Sequence, residues 1–341
     1  MAKYTAIGGQ ALIEGILMKS PEKTAIAVRK PDKSIDISYM EEKTLRQKHK
    51  FLRIPVIRGI ASYIESMKQG YKAMMISADK SGFTDIEEEQ EEKKLTKKQQ
   101  TALTSVIMTV GTVLGVALAV VLFMGVPRYI VKGIECLCSE TFPKVVRSTI
   151  EQLIKLAVFV VYMALVSLLK DMRRVFMYHG ADHKTIFCYE KGLPLTVENA
   201  RKQSRFHPRC GTSFLILMIL VSILFSTLAQ LVFPGIYDVI WLWVIIKILL
   251  IPIICGVGFE ILRACGKYDN LLTRIVSAPG LWMQRITTKE PEDDMLEIAI
   301  AALRACEPEK PDVDRSVDAK PGVKADGADL PQGEEQSGNN I

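Results

Sequence analysis

The sequence predicts a mainly α-helical membrane protein. Its expected form is a polytopic bundle of four transmembrane helices, a small N-terminal α+β cytosolic region and a disordered C-terminal tail. Three observations predict this fold class. Apolar residues make up 49% of the 341 positions and charged residues 24%, and the two kinds are segregated along the chain. Four runs approach the roughly 20 apolar residues that cross a bilayer core. From about residue 307 the chain is Pro, Gly, Asp, Lys and Ser with almost no apolar content, so that stretch cannot bury a core.

Residues 1–83 read as a small soluble region. The start, Ile7 to Gly15 (IGGQALIEG), is rich in glycine, which predicts tight turns or a close backbone approach. It has no apolar h-region of secretory type, so no cleaved signal peptide is expected. Thr24–Arg29 and Ser34–Tyr39 are short, partly alternating runs around Lys30-Pro31-Asp32-Lys33, the pattern of a β-hairpin. Ile57–Ser77 carries Ile60, Ile64, Met67, Tyr71 and Met74 at helical spacing. It predicts an amphipathic helix that packs on the hairpin or lies on the membrane.

Residues 84–100 are acidic, then basic, and read as a solvated linker. Residues 101–127 contain the first span, centred on Leu103–Phe123, and 128–149 an external loop. The second span covers 150–170, although its uncharged part, Leu156–Leu169, has only 14 residues. Glu151 and Lys155 precede that part by one turn and can pair or snorkel. Residues 171–211 form a His/Cys loop. Residues 212–233 are the third span, Pro234-Gly235 a turn, and 239–260 the fourth span, with a kink expected near Pro252. Residues 261–306 predict cytosolic amphipathic helices, the last opening on acids that suit a helix N-terminus.

Charge sets the orientation. The linker 84–100 and the loop 128–149 hold four Lys/Arg each, the loop 170–211 holds nine, and 234–238 holds none. The positive-inside rule therefore places both termini and the long loop in the cytosol of a multi-pass plasma-membrane protein. A net charge of +6 suits loops beside an anionic leaflet and gives no reason to expect nucleic acid as a partner. Seven cysteines without framework spacing argue against a disulfide-stapled module.

The chemistry concentrates between spans two and three. Three of the chain's four histidines, His179, His183 and His207, lie there with Cys188 and Cys210. His179-Gly180-Ala181-Asp182-His183 is H-x-x-D-H, and on a helix the i,i+4 spacing sets both imidazoles on one face. His207 and Cys210 add an H-x-x-C pair. The expected ligands are His179, His183 and His207, with Cys210, Cys188, Glu190 or Glu198 as a fourth. Mixed nitrogen and sulfur donors favour a divalent transition metal, zinc foremost. The motif is close to the H-x-x-E-H zinc-protease signature, but Asp182 is one methylene shorter than the glutamate there. Asp182 or Glu198 would orient water. Lys247 lies deep in the fourth span, where an ionisable side chain is a functional hypothesis by default; pairing within the bundle, with Glu151 for example, is the alternative. Glu260 and Arg263, at the cytosolic end of the fourth span, are placed to approach the histidines; Glu14 reaches them only if the N-terminal region folds beneath the loop, and otherwise it is a surface residue.

At GGQALIEG, YHGADHK, HPRCGTSF, LLIPIICGVGFEILR and TTKEPEDDMLEIAIAAL the chain resembles the YqhQ family of bacterial membrane proteins over roughly residues 5–305. That family is one of unknown function, described as predicted metal-dependent enzymes. The resemblance implies the membrane topology and the histidine site, and it implies a glutamate where this chain has Asp182. Three functions fit the sequence. The first is a metal-dependent hydrolase acting on a membrane-delivered substrate. The second is a non-enzymatic scaffold or assembly factor that docks a membrane or cytosolic protein through a structural His/Cys loop. The third is a small homo-oligomeric transporter, motivated by Lys247.

Overall fold

The computed structural model describes residues 7–40, 54–82, 113–139, 141–233, 240–268 and 270–307, with a few isolated positions besides. The linker 84–100, the start of the first span, the Pro234-Gly235 turn and the tail beyond 307 lie outside the described residues.

The N-terminal region is an antiparallel sheet in the order β1-β2-β3-β4. Its strands are β1 (Gly8–Leu12), β2 (Gly15–Lys19), β3 (Thr24–Arg29) and β4 (Ile35–Tyr39). The hairpin at 24–39 is the one expected. The glycine-rich start adds two more strands, with Leu12 paired to Gly15 across a turn at Ile13-Glu14. Glu14 takes a left-handed φ of 50° in that turn. These strands were hidden because glycines leave no side-chain alternation to read.

Both faces of β2 and β3 are covered, as strand periodicity allows. Ile16, Met18, Ala25 and Ala27 join one core, while Leu17, Ile26 and Val28 join another. Helix α1 (Ile57–Lys80) closes the second core with Ala73. It is tied to the sheet by Lys19 Nζ donating to Gln69 Oε1 at 2.6 Å and by the Lys80–Asp36 ion pair. The amphipathic helix thus packs on the sheet, one of its two expected roles.

Among the described residues, four helices are long and apolar enough to cross a membrane: Val113–Cys138, Lys144–Val166, Gly211–Val232 and Ile245–Lys267. The first includes a π-helical turn, Val121–Gly125, followed by α2 (Val126–Cys138). Part of the expected external loop is therefore helix; it ends at Ser139, whose φ is 55°. Next come α3 (Lys144–Val166), α6 (Gly211–Val232) and α7 (Ile240–Lys267), which runs through Pro252. Residues such as Leu114, Val121, Leu165, Leu224, Leu231 and Leu249 are exposed. Such a continuous apolar surface is what a lipid-facing bundle presents.

The expected His/Cys loop is largely helical. After a break at Ser167–Leu169, α4 (Lys170–Glu190) carries the histidine motif, and α5 (Val197–Arg201) is a short helix beyond it. The buried residues of α4 mix Asp182, His183, Lys184, Thr185 and Glu190 with Phe176, Tyr178, Ala181, Ile186 and Cys188, so no clean apolar stripe betrays the helix. Helix α8 (Leu271–Thr287) starts with an Asn270/Thr273 capping box. Helix α9 (Asp293–Cys306) buries Met295, Leu296, Ile298, Ala299, Ala302 and Leu303 in the core shared with β2, β3 and α4. The sheet, from the start of the chain, is thereby sandwiched between α1 and the pair α4/α9.

Candidate metal centre

Helix α4 holds His179 and His183 one turn apart, with ring centroids 4.4 Å from each other. Cys210, the N-cap of α6, brings its thiol to the same point. One donor atom from each of His179, His183 and Cys210 falls within 4.8 Å of the others. His179 Nε2 lies 3.1 Å from Cys210 Sγ. The opposite ring nitrogens are tied to the main chain. Nδ1 of His179 meets the Thr287 carbonyl at 2.9 Å, and Nδ1 of His183 the Arg205 carbonyl at 2.5 Å. An Nδ1–H donated to a carbonyl fixes the tautomer that leaves the Nε2 lone pair free for a metal.

The electrostatics fit the same use. Burial pushes the Cys210 thiol up, but the imidazoles of His179 and His183, through charge and hydrogen bonds, hold it well below the ordinary thiol range. The Thr212 N–H in the first turn of α6 also points at the sulfur, at 3.4 Å, as expected for a thiolate at a helix N-terminus. His179 shows the reciprocal effect. Burial would depress it, yet the Cys210 charge and hydrogen bond raise it to about 9. His179 is thus protonated beside the thiolate, and a bound cation would take the place of that proton, since thiolate and neutral imidazole are the forms in which such residues bind zinc.

Asp182 sits between the two histidines and is 2% exposed. Burial, partly opposed by His183 and His179, raises its carboxyl to about 6. Its Oδ1 is buried without a hydrogen-bond partner. The strand β1 covers it: a Cβ on Gly9 would lie 1.9 Å from Asp182 Oδ1. The glycine-rich start thus supplies the close backbone approach expected of it, and the contact is with the histidine helix. A second close approach lies behind His179. A Cβ on Gly180 would come within 2.0 Å of the Lys289 carbonyl oxygen, where the link from α8 to α9 crosses α4 and Lys289 N–H donates to the Phe176 carbonyl at 2.8 Å.

The other candidate residues lie outside the three-donor group. His207 is a neighbour, its ring 5.6 Å from that of His183 and 4.6 Å from Phe187. Its Nδ1 accepts from the Arg209 N–H at 3.3 Å, and its Nε2 faces Glu190 Oε2 at 3.5 Å. Burial holds this imidazole down at about 4, so it is neutral, and Glu190 takes its cation from Arg209. Cys188 is buried with its thiol 3.5 Å from the Pro194 carbonyl. The side chain of Glu198 is 77% exposed, and its carboxylate pairs with Lys202 at 2.6 Å; the structure does not bring it to the donors. Glu14 reaches α4, accepting from Arg174 and from the Tyr178 hydroxyl at 3.1 Å, and locks the β1–β2 turn to the histidine helix. Glu260 binds Arg58 of α1 through two hydrogen bonds of 2.6 and 2.5 Å. Lys247 lies in the bundle against Lys155, within electrostatic reach of Glu151.

Sequence reasoning missed the supports. The carbonyls of Thr287 and Arg205 carry no side-chain signal. Gln284, fully buried, accepts from His207 N–H at 2.7 Å and donates to the His207 carbonyl at 2.7 Å and to Ser213 at 2.8 Å. It shares the buried face of α8 with Gly280, Met283 and Thr287, and nothing in that sequence pattern marks it as a support.

Comparison with known proteins follows the same residues. A family described as "Protein of unknown function (DUF1385)" matches residues 54–309. The chain is similar to "Uncharacterized protein YqhQ" of Bacillus subtilis (strain 168), with 35% identity over 296 residues, covering 86% of this chain and 90% of the relative. No solved structure matches. The matched span takes in the histidine helix, Cys210 and α9: the chain belongs to the DUF1385 family.

Proposed function

We propose that the protein is a multi-pass plasma-membrane protein that holds a transition metal, zinc by its donor set, at the cytosolic face and uses it hydrolytically on a membrane-delivered substrate. One observation carries the reading. His179, His183 and Cys210 converge with both imidazoles oriented by main-chain carbonyls, beside a buried carboxylate oxygen that has no partner. Three protein donors leave a fourth position, the pattern of catalytic rather than closed zinc sites. A metal held there would supply Lewis acidity. Asp182, raised towards neutrality by burial, would take the proton from an attacking water, a task that suits a base near the working pH. The distribution of Lys and Arg supports a cytosolic location for both termini and the site.

The test uses untagged protein purified in detergent. Elemental mass spectrometry should give about one equivalent of zinc per chain in the wild type and none in the His179→Ala/His183→Ala double variant. Asp182→Asn should keep the metal and lose hydrolysis of liposomes made from bacterial lipid extract or of membrane-inserted peptides. Hydrolysis by metal-free protein would refute the reading. The depth of the site favours a second reading: His183 is 3% and Cys210 5% exposed, under the backbone of β1. On that reading the metal is a structural staple and the protein a scaffold. Chelation would then open Lys191–Arg205 to proteases, and Asp182→Asn would change nothing catalytic.

A further inference from the structure

The spans enclose a second polar cluster, far along α6 from the metal centre. A cavity of about 660 Å³ lies between the π-helical turn of the first span and helices α3, α6 and α7, a size suited to a small-molecule ligand. Its lining on α6 is Leu215, Met218, Ile219, Ser222 and Ser226, one helical face about 16 Å long. The cavity is therefore elongated, and its two ends differ. Gln152, Lys155 and Lys247 line it together with Ser226, while Leu215, Met218 and Ile254 bring only apolar groups. The π-helical turn contributes Phe123 and Met124, and such turns recur at functional sites.

The polar end calls for an anion. Gln152 is 5% exposed, and its Nε2 is buried without a hydrogen-bond partner. In hydrocarbon no water can satisfy it, and the group is costly unless something else accepts its hydrogens. Lys155 and Lys247 lie against each other, with Glu151 within electrostatic reach of both; that carboxylate also faces Arg147 at 3.6 Å, so the one acid is shared among three cations. An anion seated there would accept from the amide and bridge both cations. The remaining walls are apolar and would clothe a chain.

We propose that the bundle binds one anionic amphiphile, an acyl chain ending in a carboxylate or phosphate, with its head on Lys155, Lys247 and Gln152 and its tail along α6 towards Leu215. The site is separate from the metal centre and does not depend on it.

The experiment is native mass spectrometry of the full chain in mild detergent, titrated with oleate, dioleoyl phosphatidylglycerol or dioleoyl phosphatidylcholine. One molecule of oleate or of phosphatidylglycerol should bind, and phosphatidylcholine, whose phosphate carries its own choline cation towards the two lysines, about ten-fold more weakly or worse. Binding of oleate alone identifies a carboxylate ligand; binding of phosphatidylglycerol identifies a phosphodiester. Lys155→Leu/Lys247→Leu should lose that preference while its zinc content stays at the wild-type value, and Lys155→Arg/Lys247→Arg should keep it. Equal binding of phosphatidylcholine, or wild-type behaviour of the leucine pair, would overturn the proposal. Should the leucine pair fail to accumulate, Ile219→Trp fills the apolar end with the charges intact. It must weaken oleate binding, and unchanged affinity overturns the proposal equally.

Discussion

His183 and His207 are buried side by side, yet they are prepared for opposite tasks. His183, like His179, gives its Nδ1 to a main-chain carbonyl and turns Nε2 towards a thiol. His207 uses Nδ1 as an acceptor for a main-chain N–H, which leaves its proton on Nε2, facing Glu190. The first arrangement would leave a lone pair for a cation; the second uses it on a main-chain N–H. Burial alone therefore says little about a histidine. What the far nitrogen is bonded to decides whether the ring is a ligand or a strut.

The sharpest way to break this contrast is metal content. His183→Ala should lose the metal entirely, whereas His207→Gln should retain close to one equivalent; loss in both would place His207 among the ligands. Cys210→Ser should weaken zinc by a larger factor than the roughly 10–100-fold typical of a lost supporting contact, measured by competition with a chelating dye. Gly180→Ala should come next. Its methyl would meet the Lys289 carbonyl, push the α8–α9 link away and carry the Thr287 carbonyl off His179. A roughly 10-fold fall in zinc affinity is expected, with His207 undisturbed.

The smallest effect is one of pH. An imidazole held at about 4 by burial is charged more readily in the unfolded chain. Its contribution to stability is complete above about 6.5 and is lost as pH falls through 4, a change on the order of 3 kcal/mol. In chelated protein, His207→Gln should flatten the decline of the thermal midpoint between those limits. An unchanged acid limb would assign it to other groups.

Much of the architecture was legible because it follows from hydropathy. A segment of 20 uncharged residues has few alternatives in a bilayer. The hairpin at 24–39 and the helix at 57–80 were legible from alternation and spacing. Helix α4 was not read as a separate element, because its buried residues mix Phe176, Tyr178 and Ile186 with Asp182, His183, Lys184, Thr185 and Glu190, and the reason for burying the polar ones is visible only in three dimensions. His179, His183 and Cys210 were among the expected ligands, but spacing along the chain could not rank Cys210 above His207. That choice rests on the main-chain partners of each ring, which composition does not encode. Glu198 looked eligible for the opposite reason: its nearness in sequence says nothing of the outward direction α5 gives it.

The sandwich of sheet and α9 also sets an order of events during synthesis. Strands β1 to β3 emerge first, but part of their cover is α9, which follows all four spans. The carbonyl that orients His179 belongs to Thr287, also beyond the last span. The domain built on the sheet therefore cannot close until all four apolar helices have been synthesised, since domains whose parts lie at opposite ends of a chain must wait for the last. A ribosome-bound chain truncated after α7 would hold His179, His183 and Cys210 but lack the Thr287 carbonyl and the α9 cover, so the three-donor group gains its full supports only on a finished chain.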